Sequence, residues 1–308
     1  MTKILKDTSP SVDIPQTRCG IVALIGAPNA GKSTLTNAIV GEKVSIVTHK
    51  VQTTRQRVTG IAIQGDTQIV LFDTPGVFTP NKRMEKAMVE AAFDAAKDAD
   101  LRLYILDLSQ RWDEEEIEKI LNVLKAPFIV VLNKIDLIDH EELLKKASVF
   151  NRPGIEKLFM ISALKQDGLN DLIAYLKESL PLSPWLYPEE YISDMPERML
   201  AAEVTREQVI LQLHQELPYA TFVETEAFEE FRNGDVKISQ VIAVERSGQK
   251  AIVLGNKGER IRMIREASQK QLSEMMGRKV HLFLHVKVME NWQDKQDFYR
   301  LTGLNFKA

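Results

Sequence analysis

The sequence predicts an α/β protein of two domains, in which a doubly wound, mostly parallel sheet is followed by a smaller α+β domain. The chain has 308 residues, which is more than one domain usually contains. From Gly20 to about Leu180, short apolar runs alternate with helix-like stretches. A segment with three prolines, 181–188, then marks a change of pattern.

The composition excludes several classes of protein. Hydrophobic residues make up 44% of the chain, charged residues 27%, and the formal net charge is −3. These values exclude a disordered or fibrous chain and binding to nucleic acid through bulk charge. The single cysteine, Cys19, excludes an internal disulfide and a cysteine zinc cluster and fits a reducing cytoplasm. Residues 1–18 have no apolar core, so we expect an N-terminal tail instead of a signal peptide or membrane anchor.

The elements of the first domain, residues 19–180, follow from local patterns. The run Ile21–Ile25 predicts a buried strand, and Lys32–Val40, which ends at Gly41, predicts the next helix. The turn at 64–66 predicts a hairpin. Further predicted strands are Ile61–Ile63, Gln68–Phe72, Leu101–Asp107, Phe128–Asn133 and Lys157–Ser162, and predicted helices include Lys82–Lys97 and Glu114–Leu124. In such sheets ligands bind at the carboxyl ends of the strands.

The turn after the first strand predicts a phosphate-binding loop. Residues 26–33 match G-x-x-x-x-G-K-[ST] directly after a strand and at the start of a helix. We expect backbone N–H groups to face phosphate oxygens, Lys32 to neutralise the outer phosphates and the Ser33 hydroxyl to hold Mg²⁺. The predicted phosphate-binding residues in this loop are Gly26, Ala27, Pro28, Asn29, Ala30, Gly31, Lys32, Ser33 and Thr34.

The motif D-T-P-G at 73–76 follows the strand Gln68–Phe72. Asp73 can reach the metal there, and the N–H of Gly76 can meet the terminal phosphate. This motif alone is common in ordinary turns, and its position one strand after the phosphate loop favours the functional interpretation.

The motif N-K-I-D at 133–136 predicts which nucleotide is bound. Guanine presents two adjacent donors, N1–H and the 2-amino group, that one carboxylate accepts together, and adenine has no such pair. Asp136 is therefore predicted to select GTP over ATP. Lys134 can lie along the base and Asn133 can brace the loop. Ser162, Ala163 and Leu164, after the next strand, are predicted to supply backbone donors to the guanine carbonyl.

These motifs, in this order, resemble the translation-factor-related P-loop GTPases. The resemblance implies GTP hydrolysis with Mg²⁺ and makes Lys32, Gly76 and Asn29 the candidate catalytic residues. In this branch an asparagine at the position of Asn29 can bind K⁺, which replaces an arginine finger. Val77 stands where Ras-type enzymes carry a glutamine that orients water, so we expect slow intrinsic hydrolysis.

The segment 45–55 lies where these GTPases have their first switch. The resemblance implies that one threonine there contacts the metal in the GTP state, and both Thr53 and Thr54 are candidates. With Ser33 and Asp73 they are the predicted metal-binding residues. The same hydroxyls would also suit a polar loop that binds nothing.

The second part of the chain is predicted to comprise a linker, 181–195, and a domain, 196–308. Its predicted elements are a helix at Glu197–Glu216, strands at Tyr219–Glu226, Val236–Glu245 and Gln249–Leu254, a helix after G-N-K-G at 255–258, and a last strand at Val280–Val288. Trp292 and Phe298 are predicted to pack against this domain and not to stack on bases.

This order of elements resembles the KH RNA-binding domain in its bacterial topology, where a G-x-x-G turn packs against phosphates beside a groove for unpaired nucleotides. Between Arg246 and Lys287 there are ten Lys or Arg against three acids, whereas Glu190–Glu245 has four against twelve. Such clustering favours phosphate contacts, although each basic side chain could equally lie on a solvated helix face. The predicted RNA-binding residues are Gly255, Asn256, Lys257, Gly258, Arg260, Arg262 and Arg265.

Together the two domains resemble the Era family of GTPases over nearly the whole chain. The motifs that carry the resemblance are G-A-P-N-A-G-K-S, Q-T-T-R, D-T-P-G, N-K-I-D, S-A-L, the linker P-W-L-Y-P-E-E-Y-I-S-D and G-N-K-G. The tail before Arg18 is longer than the family needs.

The resemblance implies a cytoplasmic GTPase that binds GTP and GDP, binds the 3′ end of 16S rRNA and acts in assembly of the small ribosomal subunit. It also implies a fraction in peripheral contact with the inner membrane, and we expect a monomer. We expect GTP and RNA to favour each other's binding. Two other classes stay open: a metabolic kinase, which need not discriminate guanine, and a passive RNA-binding scaffold, whose RNA affinity would not depend on the nucleotide.

Overall fold

The computed structural model describes residues 16–48, 50, 53–112, 114–124, 127–150, 153–213 and 217–307. Most of the predicted N-terminal tail lies outside these residues. Its last residue, Arg18, already belongs to the first strand, so the sheet begins earlier than the sequence predicts.

In the described residues, the first domain is a six-stranded sheet with five α-helices. Its strands are β1 (Arg18–Gly26), β2 (Val58–Gln64), β3 (Thr67–Asp73), β4 (Leu101–Asp107), β5 (Phe128–Asn133) and β6 (Ile155–Ile161), and its helices are α1 (Lys32–Val40), α2 (Arg83–Lys97), α3 (Glu114–Leu124), α4 (His140–Ser148) and α5 (Leu169–Ser179). The strand order is β2-β3-β1-β4-β5-β6. Only the β2–β3 hairpin is antiparallel, which confirms the doubly wound, mostly parallel prediction.

Apolar residues on both faces of the sheet explain why helices cover both. In β1, Val22 and Leu24 join a buried cluster that includes residues of α1 and α5. The alternate residues Ala23 and Ile25 join a second cluster with residues of α2 and α3. Side chains of successive strand residues point to opposite faces, so a continuous apolar run needs cover on each side. This layering brings the carboxyl ends of β1, β3, β5 and β6 to one edge.

The second domain is a three-stranded sheet packed against helices. Its elements are α6 (Glu197–Gln212), β7 (Thr221–Glu230), β8 (Val236–Val244), α7 (Ser247–Leu254), α8 (Glu259–Met276), β9 (Val280–Val288) and α9 (Gln296–Thr302). β7 and β8 are antiparallel, and β8 and β9 are parallel. Val204 of α6, Ile238 of β8 and Leu272 of α8 belong to one buried cluster of this α+β layer.

The strand predicted at Gln249–Leu254 is wrong, because these residues belong to helix α7. The side chain of Gln249 accepts hydrogen bonds from the backbone N–H groups of Glu245 and Arg246 and so caps the start of the helix. Val253 is buried, whereas Ile252 is 48% exposed. A short apolar run fits one buried helix face as well as a strand, and its periodicity alone does not separate the two.

The linker segment 181–195 packs along the first domain. The side chain of Gln68 in β3 donates from Nε2 to the carbonyl of Tyr187 at 2.8 Å, and its Oε1 accepts from the N–H groups of Leu186 and Tyr187. The N–H of Ile61 in the edge strand β2 donates to the carbonyl of Ile192 at 2.8 Å. These bonds fix the linker against β2 and β3.

The C-terminal segment forms an aromatic cluster between the two domains. Trp292 is 1% exposed and stacks on Phe222 of β7, with ring centroids 5.6 Å apart. Phe298 meets both rings edge-on. The same cluster includes Met84 and Met88 of α2, in the first domain. The rings therefore pack as predicted, but against both domains. None of the helices that the structure describes has the length and hydropathy that crossing a membrane would require.

We expect Trp292→Ala to lower the free energy of unfolding by about 3 kcal/mol, because it removes a fully buried ring between the domains. Guanidinium chloride unfolding measures this loss. Leu301→Ala, on the same C-terminal segment and 42% exposed, should change it by only about 0.5 kcal/mol. Equal unfolding midpoints for the two variants would contradict this packing.

Candidate functional site

The loop between β1 and α1 needs its glycines because atoms of β4 and β5 lie very close. A Cβ at Gly26 would lie 2.2 Å from the carbonyl oxygen of Ile105. At Gly31, where φ is +97°, a Cβ would lie 2.1 Å from Nδ2 of Asn133. No L-residue with a side chain fits these positions. Because these two positions carry no side chain, the backbone N–H groups at the start of α1 stay accessible to a ligand.

Lys32 lies beneath this loop and is only 5% exposed. Its Nζ donates to the carbonyls of Gly26 at 2.9 Å and Ala27 at 2.8 Å. Burial lowers the pKa of Lys32 to about 8, and the nearby Asp73 partly opposes this shift. The ammonium group is thus placed where phosphate oxygens can replace carbonyls as its partners.

Asp73, at the end of β3, is fully buried. Its Oδ2 accepts from the Ser45 hydroxyl at 2.6 Å, whereas its Oδ1 has no hydrogen-bond partner. Burial raises the pKa of Asp73, and the hydroxyls of Ser33 and Ser45 and the charge of Lys32 act against this. The unpartnered Asp73 oxygen and the hydroxyl groups beside it are hard oxygen ligands. Together they fit Mg²⁺.

Of the two candidate threonines, the structure brings Thr54 to this cluster. The Thr54 Oγ1 lies 3.0 Å from the Ser33 Oγ, and Thr54 is 8% exposed. The Thr53 hydroxyl instead donates to the carbonyl of Lys50 at 2.7 Å and lies 2.7 Å from the Thr48 Oγ1. Of the two predicted metal-binding threonines, Thr54 therefore lies beside Ser33 and Thr53 does not.

The D-T-P-G loop lies directly against the phosphate loop. A Cβ at Gly76 would lie 2.7 Å from the backbone nitrogen of Pro28. The N–H of Val77 donates to the carbonyl of Gly26 at 3.0 Å, and its side chain is buried in the core with Ile25. Val77 faces the core and cannot orient a water molecule at the phosphates.

Asn133 joins the phosphate loop to the guanine loops. Its Nδ2 donates to the carbonyl of Ala30 at 2.8 Å, and its Oδ1 accepts from the N–H of Ala163 at 2.9 Å. Asn133 is 2% exposed, so water does not compete for these bonds. The amide fixes the spacing between the phosphate loop and the S-A-L turn.

Asp136 lies in the one-turn helix Ile135–Leu137, just after the end of β5. It is exposed, and among the described residues none forms a hydrogen bond with its carboxylate. Ser162 is buried and its hydroxyl accepts from the N–H of Lys165, whereas Leu164 is 73% exposed. The Asp136 carboxylate is therefore available to accept both donors of a guanine edge.

Two contributors to the site were missed by the sequence reasoning. Asp107, at the end of β4, forms an ion pair with Lys134 at 2.6 Å and holds its side chain, while the backbone of Lys134 is left-handed, with φ of +68°. Ser45 supplies the hydroxyl that binds Asp73. Asp107 could have been found, because it ends a parallel strand at the same edge of the sheet.

The predicted RNA-binding turn joins α7 to α8. Gly255 has φ of +72°, and a Cβ there would lie 2.7 Å from the Cβ of Arg260. Asn256 and Lys257 are exposed at the tip. Arg260 is partly engaged, since its Nη1 donates to the carbonyl of Ile252 at 3.2 Å. The turn therefore offers to a ligand its backbone and the exposed side chain of Lys257.

Along α8 the predicted basic residues differ. Arg262 is exposed and has no bonding partner among the described residues, whereas Arg265 pairs with Glu266 at 3.1 Å. Exposed Ile252 and Met263 flank the turn, at 48% and 54% exposure. Sequence reasoning missed these two apolar side chains, which make the surface beside the turn amphipathic.

Both parts of the chain match known protein families. A family described as 50S ribosome-binding GTPase matches residues 21–134, and the KH domain family matches residues 216–293. GTPase Era of Rhizobium meliloti is 54% identical over 310 residues, which cover 99% of this chain and 98% of that protein. The chain belongs to the Era family of GTPases. GTPase Era of Caulobacter vibrioides is 49% identical, over 94% of this chain and 98% of its own.

Solved Era structures confirm the predicted fold and GTPase class. A crystal structure of a point variant of Aquifex aeolicus Era bound to GDP·AlF4⁻ has a TM-score of 0.88 and 35% identity, over 93% of this chain and 99% of that one. Era in complex with MgGDPNP and nucleotides 1506–1542 of 16S ribosomal RNA has a TM-score of 0.87 with the same identity and coverage. This chain is thus a GTPase with a KH domain.

We expect GTP affinity to fall as the pH rises past the pKa of Lys32, about 8. A triphosphate binds the charged ammonium and raises its pKa, so affinity is level below that pH and decreases above it. The dissociation constant for GTP should increase about threefold between about pH 7.5 and about pH 8.5. Titration calorimetry measures it. Lys32→Met should bind weakly with no such trend, and a level wild-type profile would contradict the assignment.

Proposed function

We propose that this GTPase binds the 3′ end of 16S rRNA through its KH domain and acts in small-subunit assembly, with RNA affinity set by the bound nucleotide. The observation that carries this proposal is that one chain holds a guanine-nucleotide site and a KH domain whose helix α6 contacts the first switch of that site. The Era complex that contains MgGDPNP together with 16S nucleotides supports the choice of RNA.

At the nucleotide site, each group has a role that its position supports. The phosphate loop and Lys32 bind the phosphates, and the N–H of Gly76 faces the terminal one. Ser33, Thr54 and Asp73 would hold Mg²⁺, which when bound offsets the negative charge of the phosphates. The Val77 side chain lies in the core and does not reach the phosphates, which supports slow intrinsic turnover. Potassium at Asn29 stays a prediction.

At the RNA site, the KH turn would pack its backbone against phosphates while Lys257 and Arg262 neutralise charge. Ile252 and Met263, exposed beside the turn, would contact the faces of unpaired bases. The association with the small subunit, the cytoplasmic location with a peripheral fraction at the inner membrane, and the monomeric state stay predictions of the family resemblance.

We expect Asp136→Asn to abolish most of the preference for GTP over ATP. The amide offers one acceptor where guanine presents two donors, and its N–H₂ donates to the 2-carbonyl of xanthine. GTP affinity should fall by at least about tenfold and xanthosine triphosphate should bind better than GTP. Competition binding with the three nucleotides measures this. Asp139→Asn, an equal charge change at the cap of α4, is the control, and an unchanged GTP preference in Asp136→Asn would overturn the pocket.

We expect Lys257→Asp to weaken binding of a 16S 3′-end fragment by at least about tenfold and to reduce the salt slope by about 1. The reason is the loss of one phosphate contact and the repulsion added at the turn. Fluorescence anisotropy at several salt concentrations, with GDPNP present, measures both. Lys295→Asp makes the same charge change at an exposed site before α9. Equal losses for the two variants would show that net charge, and not the turn, binds the RNA.

A further inference from the structure

Helix α6 of the KH domain forms hydrogen bonds with the first switch of the GTPase domain. The carboxylate of Glu207 accepts from the N–H of Val47 at 3.0 Å. Lys50 reaches in the opposite direction, and its Nζ donates to the carbonyls of Ile210, at 2.6 Å, and Leu213. The switch is therefore bound to α6 at points before the threonines.

Further contacts hold the two residues on either side of Thr54. Arg206 of α6 donates from Nη2 to the carbonyl of Thr53 at 2.5 Å. Arg55 donates from Nη1 to the carbonyl of Thr221, at the start of β7, at 2.8 Å, and its guanidinium lies 5.7 Å from the ring centroid of Trp292. Thr54, which faces Ser33, thus lies between two anchors that both belong to the second domain.

Arg206 is held in a defined position at this interface. Its Nε donates to Glu203 Oε1 at 2.8 Å, and its Nη2 also contacts Glu203 Oε2. Arg206 is 2% exposed. A buried guanidinium paired with a carboxylate has little freedom to move, and its hydrogen bond to a carbonyl is charge-assisted. The Thr53 carbonyl therefore has a fixed and strong partner.

We propose that Arg206 is a positioning residue for GTP hydrolysis that the KH domain supplies to the first switch. By holding the carbonyl of Thr53, it sets the hydroxyl of Thr54 against Ser33 and Asp73. The inference rests on the proposed function in one respect, that Thr54 holds Mg²⁺ in the GTP state. It follows that the metal site is complete only while α6 is seated on the switch.

Arg198 offers a matched control on the same helix. Its Nη2 donates to the carbonyls of Thr225 and Glu226, both within the second domain. Arg198→Ala therefore removes a guanidinium and backbone hydrogen bonds from α6 without touching the switch.

In the full-length protein, Arg206→Ala should lower kcat/KM for GTP about tenfold and weaken GDPNP binding by a similar factor, as loss of a charge-assisted bond predicts. GDP affinity should stay within about twofold, because GDP lacks the phosphate that the switch covers. The Mg²⁺ concentration for half-maximal GDPNP binding should rise. Arg206→Lys should restore part of each loss, and Arg198→Ala should leave the ratio of GDP to GDPNP affinity unchanged.

Equal losses of GDP and GDPNP affinity in Arg206→Ala, or the same shift in Arg198→Ala, would overturn the proposal. If Arg206→Ala does not fold, Glu203→Gln gives a second test, because it weakens the ion pair that holds Arg206 but keeps the guanidinium. It should change the ratio of GDP to GDPNP affinity in the same direction by a smaller factor. Wild-type protein measured in parallel separates the two hypotheses. If GDPNP binding to the wild type does not depend on Mg²⁺, the metal role of Thr54 in the proposed function fails. If it hydrolyses GTP and both variants match it, only the role of Arg206 fails.

Discussion

The buried carboxylate of Asp73 constrains everything around the nucleotide site. Taking a charge out of water is costly unless neighbours compensate it, and here the compensation comes from hydroxyls and one lysine. One of its oxygens is still without a partner. The phosphate loop, through Lys32 and Ser33, and the first switch, through Ser45, thus meet at the end of β3, because each supplies a group that this carboxylate needs.

The contacts of this carboxylate cluster continue into the second domain. Thr54 connects the carboxylate cluster to a switch whose flanking residues bind α6 and β7. A separate contact runs through α2, which follows the D-T-P-G loop and carries the aromatic cluster of the C-terminal segment. The KH domain therefore touches the elements next to both nucleotide-sensing loops. This arrangement supports the proposed dependence of RNA affinity on the bound nucleotide.

The sequence was informative where chemistry requires particular residues at fixed spacing. The phosphate loop, N-K-I-D and the G-x-x-G turn were found because few substitutes for glycine, lysine or aspartate exist at those positions. It was uninformative where partners are far apart in the chain: Asp107 with Lys134, Ser45 with Asp73, and Arg206 with Thr53 meet only after folding. The choice between Thr53 and Thr54 likewise depends on which way the backbone turns. α7 was mistaken for a strand because its apolar residues are few and adjacent.

The position of the linker has a consequence for how the chain behaves with its own copies. β2 is the outermost strand of the large sheet, and such strands can recruit a foreign strand through their open backbone groups. In this structure the N–H of Ile61 donates to the carbonyl of Ile192, and the hydroxyl of Ser193 donates to the carbonyl of Thr59. The linker thus covers backbone groups of β2 at which a second copy of the chain could otherwise pair. A domain rearrangement that moved the linker away from β2 would expose this edge for as long as the rearranged state lasts.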